Sequence, residues 1–392
     1  MLLDVSALGD LFTALQRRGY RTIAPSLRDG AIVLDDTAAT GQLPSGWTDE
    51  QQPGHYRLAR RRDEALFGYA VGPCSWKTFI TPPDTQLWEA RRTGQTFTIR
   101  RQRPRDGKMA FIGVRPCDLH ALGILTRVFA METLPSQASA LQPGRRGHAR
   151  APRRHANLFI VAVACTQPAA TCFCAAMGTG PELGPGFDLG LTEILEDGRH
   201  VLLTHVGSRL GRDVILEVPH WEASQADVAA AQEAVAGARR AMARELDATR
   251  VHDTLARQPQ HPRWQLTASR CLSCGSCTMV CPTCFCTTLQ DRTDFPGNVA
   301  TRRRIWDSCF SLDFSYLHGG HVRSSPAARY RHWLTHKLSG WQDQFGTLGC
   351  VGCGRCITWC PAGIDLTEEV AALQALPRES SAHRPEVPHG RH

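Results

Sequence analysis

Two cysteine runs limit what this chain can fold around more than any other feature. Cys271, Cys274, Cys277 and Cys281 stand ahead of Pro282 in the order C-x2-C-x2-C-x3-C-P, and Cys350, Cys353, Cys356 and Cys360 repeat it ahead of Pro361. Three thiolates at two-residue gaps wrap one loop around a polynuclear centre, whereas a tetrahedral zinc is more usually gripped by two separated pairs. The spacing therefore points to two 4Fe-4S cubanes, with a pair of zinc knuckles as the competing reading. Gly275 and Gly352 suit the tight turns that bring backbone amides close to inorganic sulfide. In ferredoxins with two such runs the fourth Cys ligates the other centre. The expected ligand sets are thus Cys271, Cys274, Cys277 and Cys360 for one cluster, and Cys350, Cys353, Cys356 and Cys281 for its partner. Crossed ligation ties distant segments together and puts two one-electron centres side by side, an arrangement that conducts.

The chain has 392 residues and 16 cysteines. That length supports two or three domains with buried cores, so disulfide stapling is not needed, and cysteines so closely bunched make poor bridges. The N-terminal residues carry acids and no small-residue cleavage site, unlike a secretory signal. The apolar run LFIVAVAC at 158–165 falls short of the roughly 20 residues that span a bilayer. A soluble protein of a reducing, cytoplasmic compartment with no membrane insertion is expected. The formal charge of +8 is concentrated in arginine clusters at 57–62 and 144–155. The second cluster, dotted with Gly and Pro, reads as a solvated loop. Cubanes with four thiolates add negative charge that offsets part of the excess. No helix-turn-helix, zinc-finger or stacking motif accompanies the arginines, so no nucleic-acid partner is expected.

Leu8, Leu11, Phe12 and Leu15 recur at helical spacing before Gly19, which predicts a helix over 7–18. A strand is expected at 31–34. MAFIGV at 109–114 and NLFIVAVAC at 157–165 are continuous apolar runs, the pattern of strands buried on both faces. The first leads into LHALGILTRVF, which has helical spacing, so a parallel βαβ unit follows. From Ser224 a capping pattern opens a stretch rich in Ala, Arg and Glu that reads as one long helix, bent near Gly237. The expected organisation is an α/β N-terminal domain with a mostly parallel sheet (1–220), a long helical connector (221–260), and an α+β or irregular dicluster ferredoxin-like domain (261–376). That last domain would hold a helical insertion at about 290–345, with Ser325 and Pro326 opening one of its helices. Residues 377–392 are polar and proline-dotted and read as a disordered tail.

Cys117 follows one predicted strand and Cys165 ends the next. If those strands are parallel neighbours, both thiols emerge at the carboxyl edge of the sheet, where open α/β sheets bind ligands. The loop after Cys165 then delivers Cys172 and Cys174 in the tetrapeptide TCFC, which recurs at 283–286. A third 4Fe-4S cluster held by Cys117, Cys165, Cys172 and Cys174 is one reading; four small buried hydrophobes is the other. Arg115, Asp118 and His120 either donate to such a centre or play ordinary roles, Asp118 as a helix cap. Cys284, Cys286, Cys309 and Cys74 read as packing residues, although Cys284 or Cys286 would replace Cys117 if the two halves met face to face. MGTGPELGPG at 177–186 lacks the order of a dinucleotide loop. Lys77 reads as a solvated lysine or as a cation that neutralises an anionic group, and HGGHVRSS at 318–325 as a loop.

GVRPCDLHALGIL (113–125), ACTQPAATCFCAAMGTGPELGPGFDLGLTE (164–193) and the cysteine-rich third together resemble the 4Fe-4S dicluster family that includes beta subunits of NAD(P)-linked sulfhydrogenases and the A subunit of anaerobic sulfite reductase. The resemblance implies an electron-transfer subunit working between a flavin-containing, NAD(P)H-oxidising subunit and a hydrogenase or sulfite-reductase subunit. No independent catalytic site is expected. A self-contained sulfur-compound reductase and an iron-sulfur redox sensor are the alternatives.

Overall fold

The computed structural model of the chain describes residues 1–101, 107–132, 157–196 and 198–375. The arginine-rich stretch 144–155 and the tail 377–392 lie outside the described residues.

Apolar alternation builds a seven-stranded sheet. Phe159, Val161 and Val163 of the strand Leu158–Val163 enter one core, with Leu8, Leu11, Phe12 and Leu15 of the helix Leu8–Arg17. Ile160 and Ala162 enter the opposite core, with Leu119 and Leu122 of the helix Pro116–Glu132. A strand buried on both faces reads as an unbroken apolar run for this reason. The centre of the sheet is parallel: Tyr20–Arg28, Lys108–Val114, Leu158–Val163 and Leu189–Glu196 run side by side in that order. Its margins are antiparallel, with Ala31–Asp36 on one side and Arg199–Val206 followed by Leu2–Asp4 on the other. The sheet is thus mixed, with as many antiparallel as parallel pairings, because Ala31–Asp36 and Arg199–Val206 each return by a short hairpin and the N-terminal strand Leu2–Asp4 adds at the edge.

The single long connector helix is not formed. The Ser224 hydroxyl accepts from the Asp227 amide and opens a helix over Gln225–Ala241 that runs through Gly237. Its Ala231 packs on Leu2, Ile194, Val201 and Leu203, so this helix belongs to the sheet. The chain then turns extended at Met242 and becomes helical again only at Val251–Arg257. Tertiary contacts override propensity here: Leu246 is buried, and Arg244 reaches the Asp365 carboxylate at 2.6 Å and the Ala170 carbonyl.

Between the two cysteine motifs the chain first makes a hairpin, Thr287–Thr293 and Val299–Trp306, where helix was expected. The helix Pro326–Thr335 follows, capped by Ser325, then a π-helical turn His336–Gly340 and the helix Trp341–Phe345. The hairpin pairs with another that sequence reasoning missed, Asp84–Thr93 and Thr96–Arg101, to make a separate four-stranded outer sheet.

Candidate iron-sulfur centres

The strands Lys108–Val114 and Leu158–Val163 are parallel neighbours, so the residues after them leave the sheet on the same edge. Cys117 sits in the first turn of the helix Pro116–Glu132, Cys165 stands just past its strand, and the following loop brings back Cys172 and Cys174. These four line one cavity together with Val71, Pro181 and Met242. Each is between 6 and 8% exposed. Burial pushes the Cys174 thiol up to about 12 and those of Cys117 and Cys172 well above the ordinary range. The glycine-rich segment 177–186 wraps this cavity, with the Cys165 amide donating to the Pro181 carbonyl at 3.1 Å. Arg115 also lines the cavity. Its guanidinium donates to the carbonyls of Phe67, Tyr69 and Ala164 at 2.6, 2.8 and 3.2 Å and fixes the surrounding loops.

Two further cavities lie in the cysteine-rich third. Cys271, Cys274, Cys277 and Cys360 line one, under Tyr330 and Trp333, with Cys356 also at its wall. Cys281, Cys350, Cys353 and Cys356 line the other, with Lys337 and Phe173. Gly275, Gly352 and Gly354 adopt φ of 76°, 63° and 75°, the left-handed turns that both motifs need. Amides point at sulfur: that of Ser273 lies 3.4 Å from Cys271 Sγ, that of Gly352 3.5 Å from Cys350 Sγ, and that of Ile364 3.4 Å from Cys360 Sγ. Such donors favour a thiolate over a thiol. Cys274 is exposed, and burial pushes the Cys350 thiol up to about 12.

The two halves meet through these loops. A Cβ on Gly352 would come within 2.6 Å of the Cys174 backbone, and one on Gly354 within 2.5 Å of the Thr171 carbonyl. The Phe173 amide donates to the Gly352 carbonyl at 2.8 Å, and the Thr179 hydroxyl to the Val351 carbonyl at 2.6 Å. Asp118, a neighbour of Cys117, takes a two-pronged ion pair from Arg355 at 2.7 and 2.8 Å, with Arg355 1% and Asp118 3% exposed. Asp118 is therefore an interdomain anchor. It was expected as a helix cap or a donor to the centre, and neither reading foresaw a cation from the far motif. His120 faces solvent.

Cys284, Cys286, Cys309 and Cys74 line none of the three cavities. The halves do meet, with Cys117 and not Cys284 at the wall of the sheet-edge cavity; the Cys284 sulfur lies 3.5 Å from the Lys337 ammonium. A hydrogen bond from Cys309, against the effect of burial, holds Cys286 at about 7. Lys337 is 4% exposed and donates to Cys281 Sγ and Thr283 Oγ1 at 3.2 Å each. Burial alone would pull its ammonium down, but the charges on Cys281, Cys284 and Cys350 outweigh that and hold it up. Lys77, with solvent as one expected setting, is 3% exposed: it donates to the carbonyls of Thr278 and Cys284 at 3.1 Å and stands 4.2 Å over the Trp306 ring. Burial pulls it down. Lys337 was missed because a single Lys in an ordinary context carries no sequence signal.

These residues fit iron-sulfur clusters. Each of the 16 cysteines is a free thiol. Among the described residues no three His, Cys, Asp or Glu side chains gather as tightly as one metal ion requires; each quartet surrounds a void. Thiols raised by burial ionise only when a cationic core takes the place of the proton. Among the described residues no helix is long and apolar enough to cross a membrane.

Residues 270–364 match the family model of a 4Fe-4S dicluster domain. The beta subunit of sulfhydrogenase 2 from Pyrococcus furiosus is 33% identical over 263 residues, which cover 66% of this chain and 72% of that protein. No solved structure matches the chain. The paired motifs, the cavities they line and this similarity over most of both chains lead to one conclusion: the chain belongs to the family of iron-sulfur subunits that includes the sulfhydrogenase beta subunit.

Proposed function

We propose that the chain is an electron-transfer subunit with three 4Fe-4S clusters. The first is held by Cys271, Cys274, Cys277 and Cys360, the second by Cys350, Cys353, Cys356 and Cys281, and the third by Cys117, Cys165, Cys172 and Cys174. The observation that carries this reading is that each set of four lines its own cavity and that the cavities abut. Cys356 borders the first two, and Phe173, between the third-set ligands Cys172 and Cys174, walls the second.

The clusters, when bound, supply one-electron chemistry. The chain supplies the rest. Amides of Ser273, Gly352 and Ile364 stabilise ligand charge, and Lys337 places a buried cation beside Cys281, which favours the reduced, more negative state of the second centre. Tyr330 and Trp333 exclude water from one side of the first centre. Electrons pass between the exposed first centre and the buried third through the second. By relationship to a sulfhydrogenase subunit, the partners in this reading are a flavoprotein that oxidises NAD(P)H and a hydrogenase or sulfite-reductase subunit in the cytoplasm.

The test uses protein purified without oxygen. Iron and acid-labile sulfide near twelve atoms each per chain support three cubanes, and about eight removes the third. The isolated chain takes up electrons from dithionite and reduces no sulfur compound by itself. Turnover of sulfite or polysulfide by the chain alone would overturn the carrier reading in favour of a reductase. A partner contact that is lost as mild oxidant breaks a cluster would favour a sensor.

A further inference from the structure

The four strands of the outer sheet hold no buried side chain. A sheet with neither face on a core is held by little more than its own ladder and cross-strand pairs. Cross-strand pairing sorts its residues onto two faces. Arg302 stands opposite Asp291 on one neighbour and Trp88 on the other, and Trp88 opposite Arg101. The Arg302 guanidinium pairs with Asp291 at 2.6 Å and lies 5.5 Å from the Trp88 ring, as a shared face requires. By the same alternation this face carries Arg304 with Leu289, Ala90 with Ile99, and Arg92 with Phe97. Four arginines and one carboxylate thus frame Phe97, Ile99 and Leu289, which are 61, 66 and 58% exposed. The opposite face bears Arg91, Arg100, Arg292 and Arg303 with Glu89 and Asp84, and none of those three apolar side chains.

The base of the sheet is the cysteine loop. Its strand Thr287–Thr293 begins one residue after Cys286, and Lys77 joins Trp306 at the end of Val299–Trp306 to the Cys284 carbonyl. A protein seated on this face therefore sits over a ladder that runs down to the segment supplying Cys281, with Leu289 near its foot and Ile99 and Phe97 nearer its far end.

We propose that this apolar-centred, arginine-framed face docks a redox protein with an acidic surface, which exchanges electrons with the cysteine centres at the foot of the sheet. The proposal rests on the electron-transfer reading above. Its step is one electron leaving the reduced carrier and entering the chain, with no bond made or broken. Charge selects the occupant: the chain's own arginine-rich stretch 144–155, or a second copy of the same face, would set arginine against arginine. A nucleic acid would match the charge, but Arg302 already covers the Trp88 ring and Phe97 is then a single exposed ring beside aliphatic Ile99 and Leu289, where single strands are held on successive aromatic platforms.

The test compares the holoprotein with a variant carrying Arg92→Glu, Arg101→Glu, Phe97→Ser and Ile99→Ser, all exposed positions that line no cysteine cavity. The probe is a small acidic 2Fe-2S ferredoxin, reduced and freed of reductant, with cluster bleaching followed by stopped flow. The wild-type rate should fall with added salt, and the variant should lose roughly tenfold or more at low salt together with most of the salt dependence. Dithionite should reduce both proteins alike. Equal ferredoxin rates in the two proteins would overturn the docking face. Failure of dithionite to reduce the wild type would instead overturn the electron-transfer reading beneath it. A wild-type dimer that the variant dissolves, seen by sedimentation, would assign the face to a second copy. Binding of a fluorescent single-stranded oligonucleotide that the variant abolishes, with no change in ferredoxin rate, would assign it to nucleic acid.

Discussion

The cavity of Cys271, Cys274, Cys277 and Cys360 is built by two short loops and leaves Cys274 in solvent, whereas that of Cys117, Cys165, Cys172 and Cys174 is built on a sheet edge and exposes none of its thiols above 8%. The thiols of the first sit on loops and single turns of helix, with the helix Pro326–Thr335 only as a wall; those of the third gather past the ends of two strands, at the start of a helix and on one loop. Exposure and hydrogen bonding to sulfur shift cluster potentials over several hundred millivolts, so two sites with identical ligands need not share a potential. An exposed centre suits exchange with a partner, and a buried one suits storage or onward transfer. The middle cavity has one wall from each half, and in the proposed relay it joins the two ends of the molecule into a single path.

The strongest way to break this contrast is to empty the buried site. Cys172→Ala with Cys174→Ala should remove about four of about twelve irons and leave the signals of the other two centres intact, read by iron analysis and EPR. Loss of all iron would mean that the third site is part of the fold of the other two. The next largest effect is at the hinge between the regions. Arg355→Met leaves the Asp118 carboxylate buried without its cation and should lower stability by about 3–5 kcal/mol, measured by denaturant unfolding, with Asp118→Leu in the same chain recovering part of the loss. A milder change sharpens the role of the middle site. Lys337→Met withdraws a positive charge from Cys281 and should lower the potential of the second centre by on the order of 60 mV, the equivalent of a tenfold shift for one electron, with the first and third unmoved in a redox titration.

The smallest effect concerns the helix that walls the exposed site. Burial holds His332, on the helix of Tyr330 and Trp333, down at about 4. The unfolded chain binds a proton there near pH 6.5 and the folded chain does not, so stability is complete above that pH and falls as the pH drops towards 4. His332→Gln removes this term. Its melting temperature should decline less than the wild type's between pH 7 and pH 5, by calorimetry.

That the twelve cysteines gather at cavities was legible from local signals: fixed gaps in the two motifs, and apolar runs that end at Val114, shortly before Cys117, and at Cys165. Strands 109–114 and 157–165 were legible for the same reason, since burial on both faces leaves an unbroken apolar run. What escaped depends on contacts between distant residues. The outer sheet joins Asp84–Thr93 to Val299–Trp306, two polar segments with no burial pattern to mark them. The break at Met242 follows from a side chain that packs into the third cavity, where a helix-rich composition pointed the other way. Arg355 reads in the sequence as one more arginine; only the closing of the two halves makes it the partner of Asp118.

Gly352 and Gly354 press bare backbone against Cys174 and Thr171, leaving no room for even a methyl group. In the three-cluster reading proposed above, the thickness of the insulating layer between the second and third centres is set by two absent side chains. Added bulk there would widen that layer and slow every electron that crosses it, while leaving all twelve ligands in place.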